Sequence, residues 1–239
     1  MSISIKLRET ITRLLVRFGQ VKSSPMELSE IDLMINNWLP EKFEIAVSGG
    51  DAELDILNVK LSICKVAEAQ QRLNAILFCN FKVKMNGSVI FNTHLNAEIK
   101  ADPDYSTEKK SVGVTNAELV KIDLIDDKDS FIKDASNLAN GILPTPLKGL
   151  FNIALASSTA ILGEEVVSGM TRYLSIYNAG SQQKIIDYHH SDIENKIIEI
   201  SNDSEMRYVM DETDFEEKLF ADYGKKILLE NSQLLFYFE

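Results

Sequence analysis

Residues 73–99 read LNAILFCNFKVKMNGSVIFNTHLNAEI, and their period of two decides the fold. Leu73, Ala75, Leu77, Cys79, Phe81, Val83 and Met85 share one face of an extended strand, and Val89, Phe91, Thr93, Leu95, Ala97 and Ile99 share one face of the next. Asn86-Gly87 between them favours a two-residue type I′ turn. Such a turn pairs Met85 with Ser88 and sets Phe81 opposite Asn92, mixing an apolar face with a polar one. A loop of three or five residues centred on Gly87 instead pairs Met85 with Val89, Val83 with Phe91 and Cys79 with Leu95, and that register is expected. Asn80, Lys82, Lys84, Asn92, His94, Asn96, Glu98 and Lys100 then occupy the wet face. Each strand spans roughly 40 Å, and sheets with strands so long twist and curl around something.

Upstream, Phe43, Ile45 and Val47 alternate, and so do Leu57, Val59, Leu61 and Ile63 after a change of parity at Ile56–Leu57 that predicts a β-bulge. Antiparallel pairing of 54–65 with 73–85 sets Cys64 opposite about Asn74, out of register for a disulfide with Cys79. Both cysteines read as small buried hydrophobes. Downstream, Asp102-Pro103-Asp104 is expected to turn the chain. Val112–Ile125 reads as a strand with a parity switch near Ala117. The strands therefore lie mainly in 43–125.

Residues 127–200 change to a helical period. Phe131, Ala135, Leu138 and Ile142 form one stripe, and Thr145-Pro146 opens a helix with no charge between Gly149 and Gly163. Its face of Leu147, Leu150, Phe151, Ala154, Leu155, Ser158, Ile161 and Leu162 is the natural object for the dry face of the sheet to wrap. Glu164–Tyr177 and Gln182–Ile200 read as further helices, the latter through Ile186, His190, Ile193 and Ile197. Residues 206–239 form a strand-helix-hairpin unit. Arg207–Met210 is its strand, Thr213 with Glu216 its capping box, and Phe215, Leu219, Phe220 and Tyr223 its helix, which Gly224 ends. Ile227–Leu229 and Leu234–Phe238 then flank Asn231-Ser232 as a docked hairpin.

The chain has 239 residues, 45% hydrophobic and 26% charged, as a globular protein has, and a net charge of −11 that gives no footing for nucleic acid. The charge is uneven. Residues 1–22 carry Lys6, Arg8, Arg13, Arg17 and Lys22 against Glu9 alone, a local balance of +4 that leaves −15 for the rest. Leu7, Ile11, Leu14, Leu15 and Phe18 recur there at helical spacing. This basic amphipathic helix is treated as a unit of its own, with Leu7, Arg8, Ile11, Arg13, Leu14, Leu15, Arg17 and Phe18 as a surface for an anionic membrane or a protein partner; the alternative is packing on its own acidic domain, residues 23–239. A short helix follows, with Ser29 as N-cap, a staple of Leu28 and Leu33, a stripe of Ile31, Met34, Ile35 and Trp38, and Pro40 as its stop.

Catalytic chemistry finds no residues to carry it. The sequence contains no P-loop, dinucleotide fingerprint, nucleophile elbow or HExxH. Asp187, His189, His190, Asp192 and Glu194 form the sole cluster with ligand chemistry, and only spacings such as Asp187/His190 or His190/Glu194 share a helix face, so it reads as a solvated face. Asp126/Asp127 and Glu216/Glu217 read as helix-start carboxylates. No enzyme, metal or cofactor is expected. With two cysteines and no secretory signal or membrane span, the expected location is the cytoplasm, peripheral at the inner membrane if the leading helix binds there.

Glu27-Leu28-Ser29-Glu30-Ile31-Asp32, Val114-Thr115-Asn116-Ala117-Glu118-Leu119 and a closing Arg207-Tyr208-Val209…Gly224-Lys225-Lys226…Leu234-Leu235-Phe236 resemble the YceB-like bacterial lipoprotein family over about 26–126 and 207–239. The resemblance departs in two places: residues 1–22 do not read as a signal peptide with a lipid-bearing cysteine, and the helical section is expected to be longer. That family is similar to the tubular lipid-binding (TULIP) proteins, whose strongly curved antiparallel sheet rolls around a long helix. The resemblance implies an α+β fold with a lipid-like ligand between sheet and helix, lined here by Leu61, Ile63, Leu77, Phe81, Val83, Phe91, Leu95, Leu150, Phe151 and Leu155. The competing expectation is a filled core in a protein that docks a partner.

Overall fold

The computed structural model describes residues 3–47, 50–67, 70–85, 88–125, 131–132, 182–231 and 233–238. Helix α1 (Ile3–Arg17) precedes strand β1 (Ser23–Glu27), helix α2 (Leu28–Asn36) and strands β2 (Glu41–Val47), β3 (Gly50–Ala67), β4 (Gln70–Met85), β5 (Ser88–Ser106), β6 (Ser111–Leu124) and β7 (Phe131–Ile132). After the undescribed segment come α3 (Gln182–Asn202), β8 (Tyr208–Val209), α4 (Phe215–Tyr223), β9 (Lys226–Glu230) and β10 (Gln233–Tyr237). The fold is α+β. An antiparallel sheet ordered β2-β3-β4-β5-β6-β8 curls into a half-barrel, β7 pairs with β5, and β1-β10-β9 make a small second sheet.

The central hairpin satisfies both signals that conflicted in the sequence. Cys79 faces Leu95 and Val83 faces Phe91, as the apolar pattern demands. At the tip Met85 faces Ser88, not Val89, so only Asn86 and Gly87 separate the strands. A register shift between Val83 and Lys84, which skips Ile90 on β5, lets a two-residue connection feed the apolar register. The bulge at Ile56/Asn58 lies where expected, just where pairing with β2 ends. Cys64 faces Arg72, two residues away from the expected Asn74, because β3 and β4 stay paired as far as Ala67 and Gln70; both cysteines are free.

Asp102-Pro103-Asp104 does not turn the chain. Strand β5 continues to Ser106, and the turn is Thr107–Lys110. The carboxylates are claimed from outside the ladder, Asp102 by Arg72 at 3.1 Å and Asp104 by Arg207 at 2.7 Å, while Pro103 sits beside a register break where a missing N–H is tolerated. That break accommodates Asn116, whose φ of 52° marks the parity switch expected near Ala117. Arg72 holds it, donating to the Asn116 and Lys100 carbonyls and pairing with Glu118.

Two N-caps and one hydrophobic staple differ from expectation. Helix α2 starts two residues earlier, with Glu27 as N-cap and the Glu30 carboxylate accepting the Glu27 N–H at 3.3 Å, which places Ser29 inside the first turn. Leu28 is buried but Leu33 is 68% exposed, so they form no staple. Helix α4 is capped by Asp214, which accepts from the Glu216 and Glu217 N–H groups, because the Thr213 hydroxyl is already donating to Asp211. Gly224 ends α4 where a Cβ would lie 2.5 Å from the Phe220 carbonyl. Phe131–Ile132 is strand β7, opposite Phe91 and Asn92, and not part of a helix: β6 has ended, and this stretch takes its place beside β5.

The apolar face of the sheet carries two packed cores. One, around Cys79, Phe81, Val83, Phe91 and Leu95, receives α3. The other, around Leu73 and Tyr105, receives α4, the β9–β10 hairpin, Leu28 of α2 and Val16 of α1. Among the described residues, no helix is long and apolar enough to cross a membrane.

Candidate functional site

The concave side of the half-barrel is built by alternation alone. Cys79, Phe81, Val83 and Leu95 are wholly buried, Phe91 and Leu77 nearly so, and Leu61 sits half-buried between the two cores. Ile63 packs half-buried at the α4 end, away from the other lining residues. Leu150, Phe151 and Leu155, with the whole Leu147–Leu162 helix, lie outside the described residues, as do Glu164–Tyr177 and Asp126/Asp127.

Among the described residues, the helix the sheet encloses is α3. It touches β6 and β2, strands from opposite sides of the sheet, so one helix spans the open mouth of the curl. Ile185, Ile186, Ile193 and Ile197 enter the core. His189 joins them, fully buried, with its ring 5.7 Å from that of Phe81, whereas His190, expected on this face, is partly exposed. Ile185, His189, Ile193 and Ile197 form an unbroken row at intervals of four, the signal that distinguishes the two histidines. His189 Nδ1 lies 3.0 Å from Asp192, but burial outweighs that carboxylate and holds the imidazole below its ordinary pKa.

The Cys79 thiol is pushed up to about 12 by burial, with Asp55 adding to the effect. At that value it is a protonated thiol near neutrality and a poor nucleophile. His94 lies on the opposite face, stacked on Phe78, so no Cys-His dyad forms. No group of His, Cys, Asp or Glu among the described residues could hold a metal ion. The wet face is a charge ladder: Glu53 accepts from Lys42 and Lys84, which hold its carboxyl below the usual range, and Lys82 meets Asp55 at 2.7 Å.

Two contacts that closed this site were not read from the sequence. Beyond the bulge β3 has no β2 beside it, and α2 supplies the missing partners: Asn36 accepts the Val59 N–H at 2.9 Å and donates to its carbonyl at 2.8 Å, while Asp32 accepts the Leu61 N–H at 2.7 Å. Trp38, just before β2, stacks on Tyr208 of β8 at 5.8 Å, joining the two ends of the strand order. The Tyr208 hydroxyl donates to Glu217, and burial together with that carboxylate pushes it up to about 12.

The second candidate surface is α1. Leu7 is 60% exposed and Phe18 71%, and Ile11, Leu14 and Leu15 of the same stripe are exposed as well. Among the residues of the helix from Lys6 onward, Val16 alone is buried, in the core formed with α4. No family model matches the chain, and no curated protein matches it.

Proposed function

We propose that this protein performs no chemistry and binds a lipid or other apolar molecule between the curled sheet and the helical layer that covers it. The observation that carries the reading is the sheet itself. Strands of 16 and 19 residues keep one face largely apolar from Leu73 to Val83 and from Phe91 to Ala101, while the other face, Ile76 and Phe78 apart, is a ladder of charges and amides. Strands in globular folds usually run about 5–6 residues, and these are about three times as long. Ligands of this class are held by burial of hydrocarbon, which supplies about 0.8 kcal/mol per methylene, with few polar contacts needed.

Native mass spectrometry of the purified chain, followed by organic extraction and analysis of the extract, tests this. Acyl-chain species at near-stoichiometric yield are the expected result, and a Leu95→Trp variant should lose them. A chain of bare mass whose extract is empty, and which takes up no fluorescent fatty acid, defeats the reading. That outcome would favour the second reading, a filled core in an interaction protein, which has in its favour the packing of Ile185, Ile186 and Ile193 of α3 into the same core as Phe81 and Leu95.

A further inference from the structure

We infer that α1 is an interfacial anchor that lays its exposed apolar stripe on an anionic lipid surface. At about 100° per residue, Leu7, Ile11, Leu14, Leu15 and Phe18, whose N–H continues the helix by bonding the Leu14 carbonyl, fall within one third of the helix circumference. Val16 stands about 180° from Leu7, so α1 docks on α4 by the side opposite its stripe. Packing on its own domain therefore leaves the stripe in water. A row of five large exposed apolar side chains is costly to a soluble surface unless something covers it.

Charge identifies the covering surface. Arg8 borders the stripe on one side and Lys6, Arg13 and Arg17 border it on the other, while Glu9 falls on the docking side with Val16. Cations on both margins of an apolar band suit a helix lying in the plane of a bilayer, where long basic side chains reach the headgroups as the band sinks into the acyl boundary. The rest of the chain carries −15, so an anionic surface attracts α1 and repels the body, fixing which side faces the membrane. The inference stands apart from ligand binding by the sheet.

Flotation of the full chain with vesicles of phosphatidylcholine, and of an equal mixture with phosphatidylglycerol, tests it. The chain should float with the mixed vesicles, weakly with phosphatidylcholine, and less as salt rises. Phe18→Ser should weaken binding roughly tenfold, and Leu7→Ser with Phe18→Ser should abolish it, with the unfolding midpoint unchanged because both side chains are exposed. Replacing Arg8, Arg13 and Arg17 by Gln should erase the preference for anionic vesicles. Wild-type chain that stays unbound, or a double variant that floats as well as wild type, overturns the anchor. So does a wild-type dimer that the double variant splits while neither form floats, since the stripe would then belong to a second copy. Lipid held by the sheet survives the double variant, so the two proposals fail separately.

Discussion

At one end of the curled sheet, Leu73 and Tyr105 meet aromatic rings arriving from a helix and a hairpin; at the other, Cys79, Phe81 and Leu95 meet the isoleucines of a single helix. The first end converges on Phe220, whose ring lies 4.5 Å from Tyr105, 4.9 Å from Phe236 and 5.8 Å from Phe238. The Tyr105 hydroxyl also donates to the Phe220 carbonyl at 3.4 Å. Edge-to-face rings from several elements lock one another's rotamers, so this end is a rigid floor. The second end depends on α3, which rests on β6 and β2 and buries a histidine in line with its isoleucines and against the ring of Phe81. It has the Phe81–Phe91 pair on the sheet side, but the helix covers it mainly with isoleucines, whose contacts are less directional, which makes it the end where an apolar ligand would enter under the proposed function.

Truncating the centre of each end should expose the difference. Phe220→Ala removes a ring shared by three aromatic neighbours and should cost about 3–5 kcal/mol in urea unfolding, near the limit of what a domain tolerates. Ile193→Ala, fully buried in α3, should cost about 2–4 kcal/mol. A larger loss at Ile193 than at Phe220 would reverse the comparison and make the α3 end the tighter one.

The contrast also separates what the residues declared from what they concealed. Strand pairing was legible because burial on one face imposes a period of two, and even the bulges at Ile56 and near Ala117 appear as parity changes. The hairpin tip was misread because parity and turn chemistry disagreed by one residue, and a bulge resolved both. The leading helix and its exposed stripe were legible in outline, but which side would face the body depended on Val16. Of the proposed lining residues, the five from Leu77 to Leu95 share one core, because alternation alone places them; Ile63, on the same alternation, belongs to the other end, since distance along a strand is invisible to parity. Asp32 and Asn36 were hidden for another reason: as polar residues in a short helix they look solvated, and their role exists only because β2 stops short of Val59. Asn36→Ala should strip both Val59 bonds from that edge and cost about 1–3 kcal/mol, measured by the same unfolding assay. A change below a few tenths would mean that water replaces the amide and that the edge beyond the bulge needs no cap.

The smallest expected effect tests the α3 end alone. Burial holds the His189 imidazole below its ordinary pKa in the folded chain, with Asp192 opposing that effect at 3.0 Å and the rings of Phe81 and Tyr188 packed beside it. Its folded pKa therefore lies below the unfolded value of about 6.5. Above that value neither state binds the proton, and the residue contributes no dependence on pH. As pH falls below it, the unfolded chain takes up a proton that the folded one refuses, and stability declines by at most about 1.4 kcal/mol per pH unit until the folded pKa is reached. His189→Gln removes this component, so unfolding free energies at pH 7.5 and 5.5 should converge in the variant relative to wild type, with His94 and His190 common to both. Equal pH dependence in the two chains would show that the imidazole is already free to protonate, and the α3 end would then be open to water where the Phe220 end is closed.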